Sequence, residues 1–382
     1  MNRILFFIFF IFSLFAGKLL NAQDAAATGI SRAFNPALSV NALFSGMASS
    51  EKIPVWTDYG TSPGLHCQAL DVEITSNVDV YLQSKVVLGG SEDESIEVEE
   101  AYLTTLRMPI PVIIRGGKML SSFGRYNLYH LHHMAFAENP FILSQVFGPK
   151  LNEVGVEASY LIPFSWYSDL LIGVLNGNNT LLFDSNKQED LAYLIHFDNL
   201  WDITDETTLR MGTSYLSGKK GLKYFAEIPF DTTINNITSS TWGIDFHLKW
   251  KPLQYGRYHS FVIEGEYVNT TLKLNDQITK PLHGFYIQGL YQMNLEWWIQ
   301  SRYDWFNRSF QLHNYFPNPD GLAIDSDKDF NGNRTSVAIA YVPTEFSAFR
   351  MQYNYQRLSG QDEQQIIFQV NVTIGSHPAH KY

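Results

Sequence analysis

A period of two runs along almost the whole chain, and few folds can use it. In 242–250, Trp242, Ile244, Phe246, Leu248 and Trp250 alternate with Gly243, Asp245, His247 and Lys249. In 297–305, Trp297, Ile299, Tyr303 and Trp305 alternate with Trp298, Gln300, Arg302 and Asp304. In 345–356, Phe349, Met351, Tyr353 and Tyr355 oppose Arg350, Gln352, Asn354 and Gln356. In 364–374, Ile366, Phe368, Val370, Val372 and Ile374 form one face. The rhythm recurs near 36–46, 69–75, 78–88, 94–106, 110–118, 153–161, 169–175, 191–198, 207–215, 259–268, 283–293 and 335–342. Successive side chains of a strand point to opposite faces, so each window reads as a β-strand.

A soluble sandwich alternates too, but two features favour a barrel in a membrane. Trp242 and Trp250 bracket one apolar face, and Trp297 and Trp305 another, as interfacial girdles require. The opposite faces mix Arg, Asp, Lys, Gln and Asn, which suits a wet lumen. Backbone in lipid must satisfy its own polar groups, so such strands must close on themselves. The expected fold is all-β: a closed antiparallel transmembrane β-barrel of about 16 strands, or 14 to 18 given the ambiguous stretch 217–237, at about 22 residues per strand and connection. Sixteen strands enclose an aqueous channel.

Composition agrees. Aromatics make up 15% of the 382 residues and charged residues only 17%, against roughly 25% charged in soluble domains. Residues 1–22 read as a signal peptide, with Arg3 before the apolar run Ile4–Ala16 and cleavage after Ala22. Residues 23–382 then form one barrel domain in the bacterial outer membrane. Without Arg3 and Lys18, 25 bases face 38 acids, a net charge of −13, so nucleic acid is an improbable partner. The single Cys67 excludes an intramolecular disulfide and any zinc site with two cysteine ligands. No His-Glu-x-x-His and no phosphate loop occurs, and no enzyme is expected.

The stretch 99–148, EEAYLTTLRMPIPVIIRGGKMLSSFGRYNLYHLHHMAFAENPFILSQVFG, carries a recognisable pattern. Glu-Ala-Tyr in a strand is followed by Arg-x-Gly-Lys, Phe-Gly-Arg and a His-x-His segment. Residues 151–179 and the tail GSHPAHKY continue it. The chain resembles the porin-like outer-membrane barrels often labelled zinc-regulated TonB-dependent receptors, distantly similar to the phosphate-selective porin O/P group. The resemblance implies a channel; the receptor half of the label implies instead a barrel that binds a metal or a partner without open conduction.

His130, His132 and His133 are the leading metal candidates, since two imidazoles separated by one residue can reach one Zn2+, with Glu138 a nearby oxygen donor. The alternative is a His-rich loop that only narrows the lumen. Asp325, Asp327, Asp329 and Asn331 alternate before Gly332 and could hold Ca2+, or form a solvated acidic loop. Glu97 and Glu99 in the run 91–100 are a candidate cation-attracting patch or a solvated turn. Arg115, Lys118 and Arg125 are the opposing bases, and such facing rows orient polar solutes in a pore. Asp245, His247, Lys249, Arg302, Asp304 and Arg350 complete the expected pore lining. The segment 119–150 should fold inward to the constriction, with Met134, Phe136, Phe141, Ile142, Leu143 and Phe147 against the inner wall. Gln352 should tolerate a charge, whereas lipid-facing Met351 should not. The expected function is passive passage of small hydrophilic solutes or ions, biased to cations. Expected partners are outer-membrane lipid, lipopolysaccharide and the barrel-assembly machinery, with self-association into a homo-oligomer left open.

Overall fold

The computed structural model describes residues 36–54, 56, 63–92, 95–183, 189–222, 234–274, 277–308 and 330–375. The expected signal peptide, Asp325, Asp327, Asp329 and the tail 376–382 lie outside the described residues. The strands are β1 (Ala37–Ser49), β2 (Gly64–Asn77), β3 (Leu82–Gly90), β4 (Glu97–Thr105), β5 (Val112–Leu120), β6 (Asn152–Leu161), β7 (Tyr167–Leu175), β8 (Ala192–Thr204), β9 (Thr207–Leu222), β10 (Ile234–Trp250), β11 (Ser260–Leu274), β12 (Gln277–Gln292), β13 (Trp297–Arg308), β14 (Phe330–Thr344), β15 (Ser347–Leu358) and β16 (Gln361–Gly375). Each pairs antiparallel with its neighbours in sequence, and β1 pairs with β16 over Ser39–Gly375 to Ser49–Gln365. The barrel is closed with 16 strands, so the backbone ladder has no free edge.

Each alternating window falls on one strand, and the exceptions have local causes. The window 78–88 loses its first residues to a turn, because the Asp79 carboxylate accepts the backbone N–H of Tyr81 at 2.7 Å and of Leu82 at 2.8 Å. β9 and β10 continue through Leu222 and from Ile234, into the stretch whose sequence is ambiguous. The outer face is apolar, with Trp242, Trp297, Tyr303, Met351 and Phe368 exposed. The inner face holds the polar series Arg302, Asp304, Arg334, Gln352, Asn354 and Gln356, all buried.

Burial of that series has one main cause. Between β5 and β6 the chain turns into the lumen, and residues 119–147 are almost all buried there. This inner segment contains two single 3-10 turns (Tyr126–Leu128 and Leu131–His133) and one short helix, α1 (Phe141–Phe147). Pro140 caps the start of α1, where a missing N–H costs nothing. Gly148 follows the helix at φ +70°, a conformation suited to glycine, and the chain then returns to the wall.

Candidate functional site

The inner segment meets the wall in three ways. Against β13–β15 it is held by buried charge. The Glu138 carboxylate accepts from Arg334 Nη1 at 3.1 Å and from Asn354 Nδ2 at 2.7 Å. Asp304 accepts from Arg302 Nε at 2.9 Å, Arg334 Nε at 3.3 Å and the Phe141 backbone N–H at 3.1 Å. Arg302 also donates to the Glu138 carbonyl at 2.9 Å, and Arg334 to the Asn139 carbonyl at 2.6 Å. The side chains of Arg302, Asp304, Arg334 and Glu138 are wholly inaccessible to solvent. Their guanidinium groups lie over Phe136 (4.6 Å) and Phe141 (4.1 Å). Arg350 donates to the Met134 carbonyl at 2.8 Å, and the Ala137 N–H donates to Gln352 at 2.9 Å.

Against β8–β13 the contact is apolar, then carboxylate. Phe123, Tyr126, Phe141, Ile142, Val146 and Phe147 pack with Leu194, Leu216, Val268, Leu282, Tyr286 and Phe306. Burying each large side chain contributes roughly 1.5–3 kcal/mol. Glu266 accepts the backbone N–H of Arg125 at 2.9 Å and of Tyr126 at 2.6 Å, and Ser214 that of Gly124 at 2.9 Å. Gly124 (φ +60°) permits this approach, since a Cβ there would lie 2.5 Å from the Glu266 carboxylate. Arg125 lies 3.6 Å from Glu264, and His247 3.9 Å from the same carboxylate. Asp245 is buried on β10 beside them.

Against β2–β5 the contact is wet. A cavity of about 650 Å3 separates the segment from this wall. Its lining includes Gln68, Asp71, Glu97, Glu99, Lys118, His130, Lys150 and Asn152. Here the three histidines gather. His130 Nε2 lies 2.9 Å from Glu100 and its Nδ1 3.6 Å from Glu99. His132 Nδ1 lies 3.1 Å from Asp71. The His132 and His133 rings stand 4.0 Å apart, and those of His130 and His132 5.6 Å. Burial alone would lower the His130 pKa, but the hydrogen bond to Glu100 and the nearby Glu99 outweigh it and push it up to about 9. At neutral pH His130 is therefore an imidazolium held between carboxylates.

Glu97, Glu99 and Lys118 all reach the cavity, but the acid most firmly bound there is Glu100. A register shift between Val87 and Leu88 displaces β4 by one residue, so Val87 faces Glu100. The alternation of 94–106 slips at that point, and no sequence pattern places the slip to the residue. Lys118 donates to the Val98 carbonyl at 2.7 Å. Arg115 ties the wall to the start of the inner segment, donating to Glu157 at 2.6 Å and to the Leu120 carbonyl and the Ser122 hydroxyl at 3.0 Å. Asn331 lies exposed at the start of β14, opposite Asn307. Among the described residues, no group of three or more His, Cys, Asp or Glu side chains is arranged to hold a metal ion. Sequence reading missed Arg334, Glu100, Asp71, Glu157 and Glu266 as contact residues. Alternation puts most of them on inner faces, but only the folded path of the inner segment gives them partners.

No family profile matches the chain. It is 26% identical over 369 residues to an uncharacterised protein of Aquifex aeolicus (strain VF5), spanning 90% of this chain and 75% of that one. The structure is similar to the high-pH structure of Pseudomonas putida OprB (TM-score 0.61, 6% identity, 93% of this chain and 97% of that one). It is also similar to an OmpT loop L8 deletion mutant, an outer membrane protein of Vibrio cholerae (TM-score 0.58, 9% identity, 90% and 100%). A third likeness is to an anion-selective porin from Comamonas acidovorans (TM-score 0.57, 8% identity, 89% and 99%). At these identities the likeness concerns the fold, and the fold is that of a porin-like bacterial outer-membrane barrel. The zinc and TonB parts of the family resemblance gain nothing from these relatives.

Proposed function

We propose that the protein is an outer-membrane channel through which small hydrophilic solutes or ions pass between the inner segment and the β2–β5 wall. The observation that carries this reading is the cavity of about 650 Å3 between the segment and that wall, lined by acids and bases, while much of the segment's other side packs against apolar side chains. Its mechanism is pore size and charge, without a catalytic residue. Asp71, Glu97 and Glu99 give the passage acids, Lys118 and Lys150 give it bases, and the chain's net charge of −11 favours a cation bias. Zinc forms no part of the proposal, since His130 and His132 are each engaged by a carboxylate.

The test is conductance of the purified barrel in planar bilayers, with the reversal potential measured across a KCl gradient. Stable open channels with cation preference are expected; clear anion preference would refute the bias. One observation favours a second reading, a closed binding barrel. Bonds from the inner segment reach β2, β4, β6, β9, β11 and β13–β16, almost the full circumference. Absence of open channels from correctly folded protein would select that reading.

A further inference from the structure

A strand that leaves a barrel wall takes its side of the ladder with it, and β5 leaves early. It pairs with β6 at nine positions, up to Leu120–Asn152, but with β4 at only four, Ala101–Lys118 to Thr104–Arg115. Above Ala101, β4 keeps β3 on one side, with Val98 opposite Leu88 and Glu97 opposite Gly89. On the other side it has no ladder partner among the described residues. The wall is therefore split above the Ala101–Lys118 pair. The split lies at the edge that carries the long connections, such as 121–151, which in outer-membrane barrels is the extracellular edge.

Side chains bridge the split. Lys118 Nζ donates to the Val98 carbonyl and Asn152 Nδ2 to the Glu99 carbonyl, each at 2.7 Å. The Leu120 backbone N–H donates to the Glu100 carboxylate at 3.2 Å. Backbone facing lipid must be satisfied, and these bonds stand in for the ladder. Unlike a ladder, each can be released by turning one side chain to another rotamer. Gly116 and Gly117, the latter at φ +137°, lie at the base of the split, where the backbone has most freedom to bend.

The cavity runs into this split. Residues directly opposite each other in an antiparallel pair point to the same face. Lys118 pairs with Val154, exposed on the outer face, and Val98, also exposed, pairs with Leu88. Both Lys118 and Val98 nonetheless line the cavity whose other wall is the inner segment at Tyr129, Leu131 and Met134. Residues of the outer row and of the lumen share one space because the wall between them is split. That space is graded: Val98, Val154 and Val156 are exposed around its outer mouth, and Glu97, Glu99, Lys118 and Lys150 border its interior.

We infer that the split beside β4 is a lateral opening through which a single-chain amphiphile with a zwitterionic head group passes between the cavity and the outer leaflet. The departed strand leaves a width of ~4.8 Å, enough for one extended hydrocarbon chain and too little for a pair. Carboxylates and ammonium groups in one cavity match a head that carries both charges, whereas a head of one sign meets like charge. The anionic part of the head competes with the Val98 and Glu99 carbonyls for Lys118 and Asn152, so the ligand itself loosens the bridges. The inference needs the cavity and the split but no conducting path along the barrel axis, so it goes beyond the channel reading and does not depend on it.

The test uses the full chain in lipid vesicles with lysophosphatidylcholine that carries a photoreactive diazirine on its acyl chain. Adducts are expected at Val98 or Val154 in the mouth and at Leu131 or Met134 inside. An excess of plain lysophosphatidylcholine should remove them, and the same excess of palmitate should not. In a Cys67→Ser background, Val98→Cys with Val154→Cys can be joined across the mouth by a short bismaleimide. The joined protein, still heat-modifiable, should lose the inner adducts, and the same protein left unjoined should keep them. Inner adducts that survive the tie would show entry along the axis and overturn the lateral opening. Adducts confined to the general lipid face, at Ile244 or Tyr303, would overturn the site, and equal competition by palmitate would overturn the zwitterionic head. Conductance is not the readout, so failure here and failure of the channel reading are separate results.

Discussion

Against β13–β15 the inner segment is fixed by charges wholly removed from water; against β2–β5 it is held by buried ion pairs beside a cavity lined with charge. Both contacts pair cations with carboxylates, yet they do different work. On the dry side Glu138, Asp304, Arg302 and Arg334 have fully inaccessible side chains and several bonds each. Two buried arginines there leave little freedom of position, so the segment has one place to sit. On the wet side His130 and His132 meet Glu100 and Asp71 at the margin of a cavity. The contrast teaches how a barrel can carry an obstruction and keep a passage: anchor the obstruction rigidly to one wall and let the other wall bear solvated charge.

The largest effect should come from opening the wall that both contacts rely on. β16 pairs with β15 and with β1, so deleting 366–382 removes the closing strand. We expect the shortened protein to lose outer-membrane insertion, and a normal heat-modifiable barrel would contradict this. Next comes the dry anchor. Glu138→Ala leaves Arg334 buried beside an emptied site, a change that typically costs about 3–5 kcal/mol. The barrel should stay closed while the segment loosens, so conductance should rise and protease should reach 119–150. If conductance and protection are unchanged, the dry contact is not what fixes the segment. Met351→Arg, on the lipid face, should cost ~2–4 kcal/mol near the midplane, read as a lower unfolding midpoint with unaltered conductance.

The barrel was legible because lipid and lumen impose opposite demands on alternate residues. The sixteen windows lie on the sixteen strands, but the strands run past them at β9, β10 and β14, where neither demand governs both faces. The inward course of 119–150 was legible from its length and its apolar residues. Its partners were not. Arg302 and Asp304 read as lumen residues of equal standing with Lys249, yet Arg302 donates to the Glu138 carbonyl and Asp304 accepts the Phe141 N–H, partners far away in sequence that only closure brings near. Gln352 read as a position free to accept charge. It is instead buried, accepts the Ala137 N–H and donates to Glu138 at 3.3 Å, so Gln352→Arg should destabilise the segment. The histidine cluster was legible as a cluster, but its ion-pair partners depend on the slip in β4 that brings Glu100 inward.

The wet contact should respond to pH where the dry one does not. His130 is raised from an ordinary value near 6.5 to about 9. A raised folded-state pKa contributes stability that is fully present below about pH 6.5 and is lost as pH rises through about 9. Between pH 7.5 and 10 the grip on Glu100 should therefore weaken, with increased current noise as the 130–133 turn detaches. His130→Gln should abolish that dependence. Noise that rises identically in the variant would place the alkaline transition on another group.

The smallest effect concerns selectivity, and it sharpens the comparison most directly. Glu99 and Lys118 border the cavity from adjacent strands and are only partly buried, so water and ions within ~8 Å screen them at physiological salt. Glu99→Gln removes a carboxylate from the passage, and Lys118→Gln removes an ammonium. Lys118→Gln also leaves an amide able to reach the Val98 carbonyl, which Lys118→Ala would not. The cation-to-anion permeability ratio should fall in the first and rise in the second, each by about two-fold at 0.1 M salt and less at 1 M, where the Debye length is ~3 Å. The corresponding charge-neutralising change on the dry side, Asp304→Asn, should alter segment stability without shifting the reversal potential in open channels at matched conductance. If Asp304→Asn moves the reversal potential and Glu99→Gln does not, ions follow a path along β13–β15, and the dry and wet sides must be exchanged.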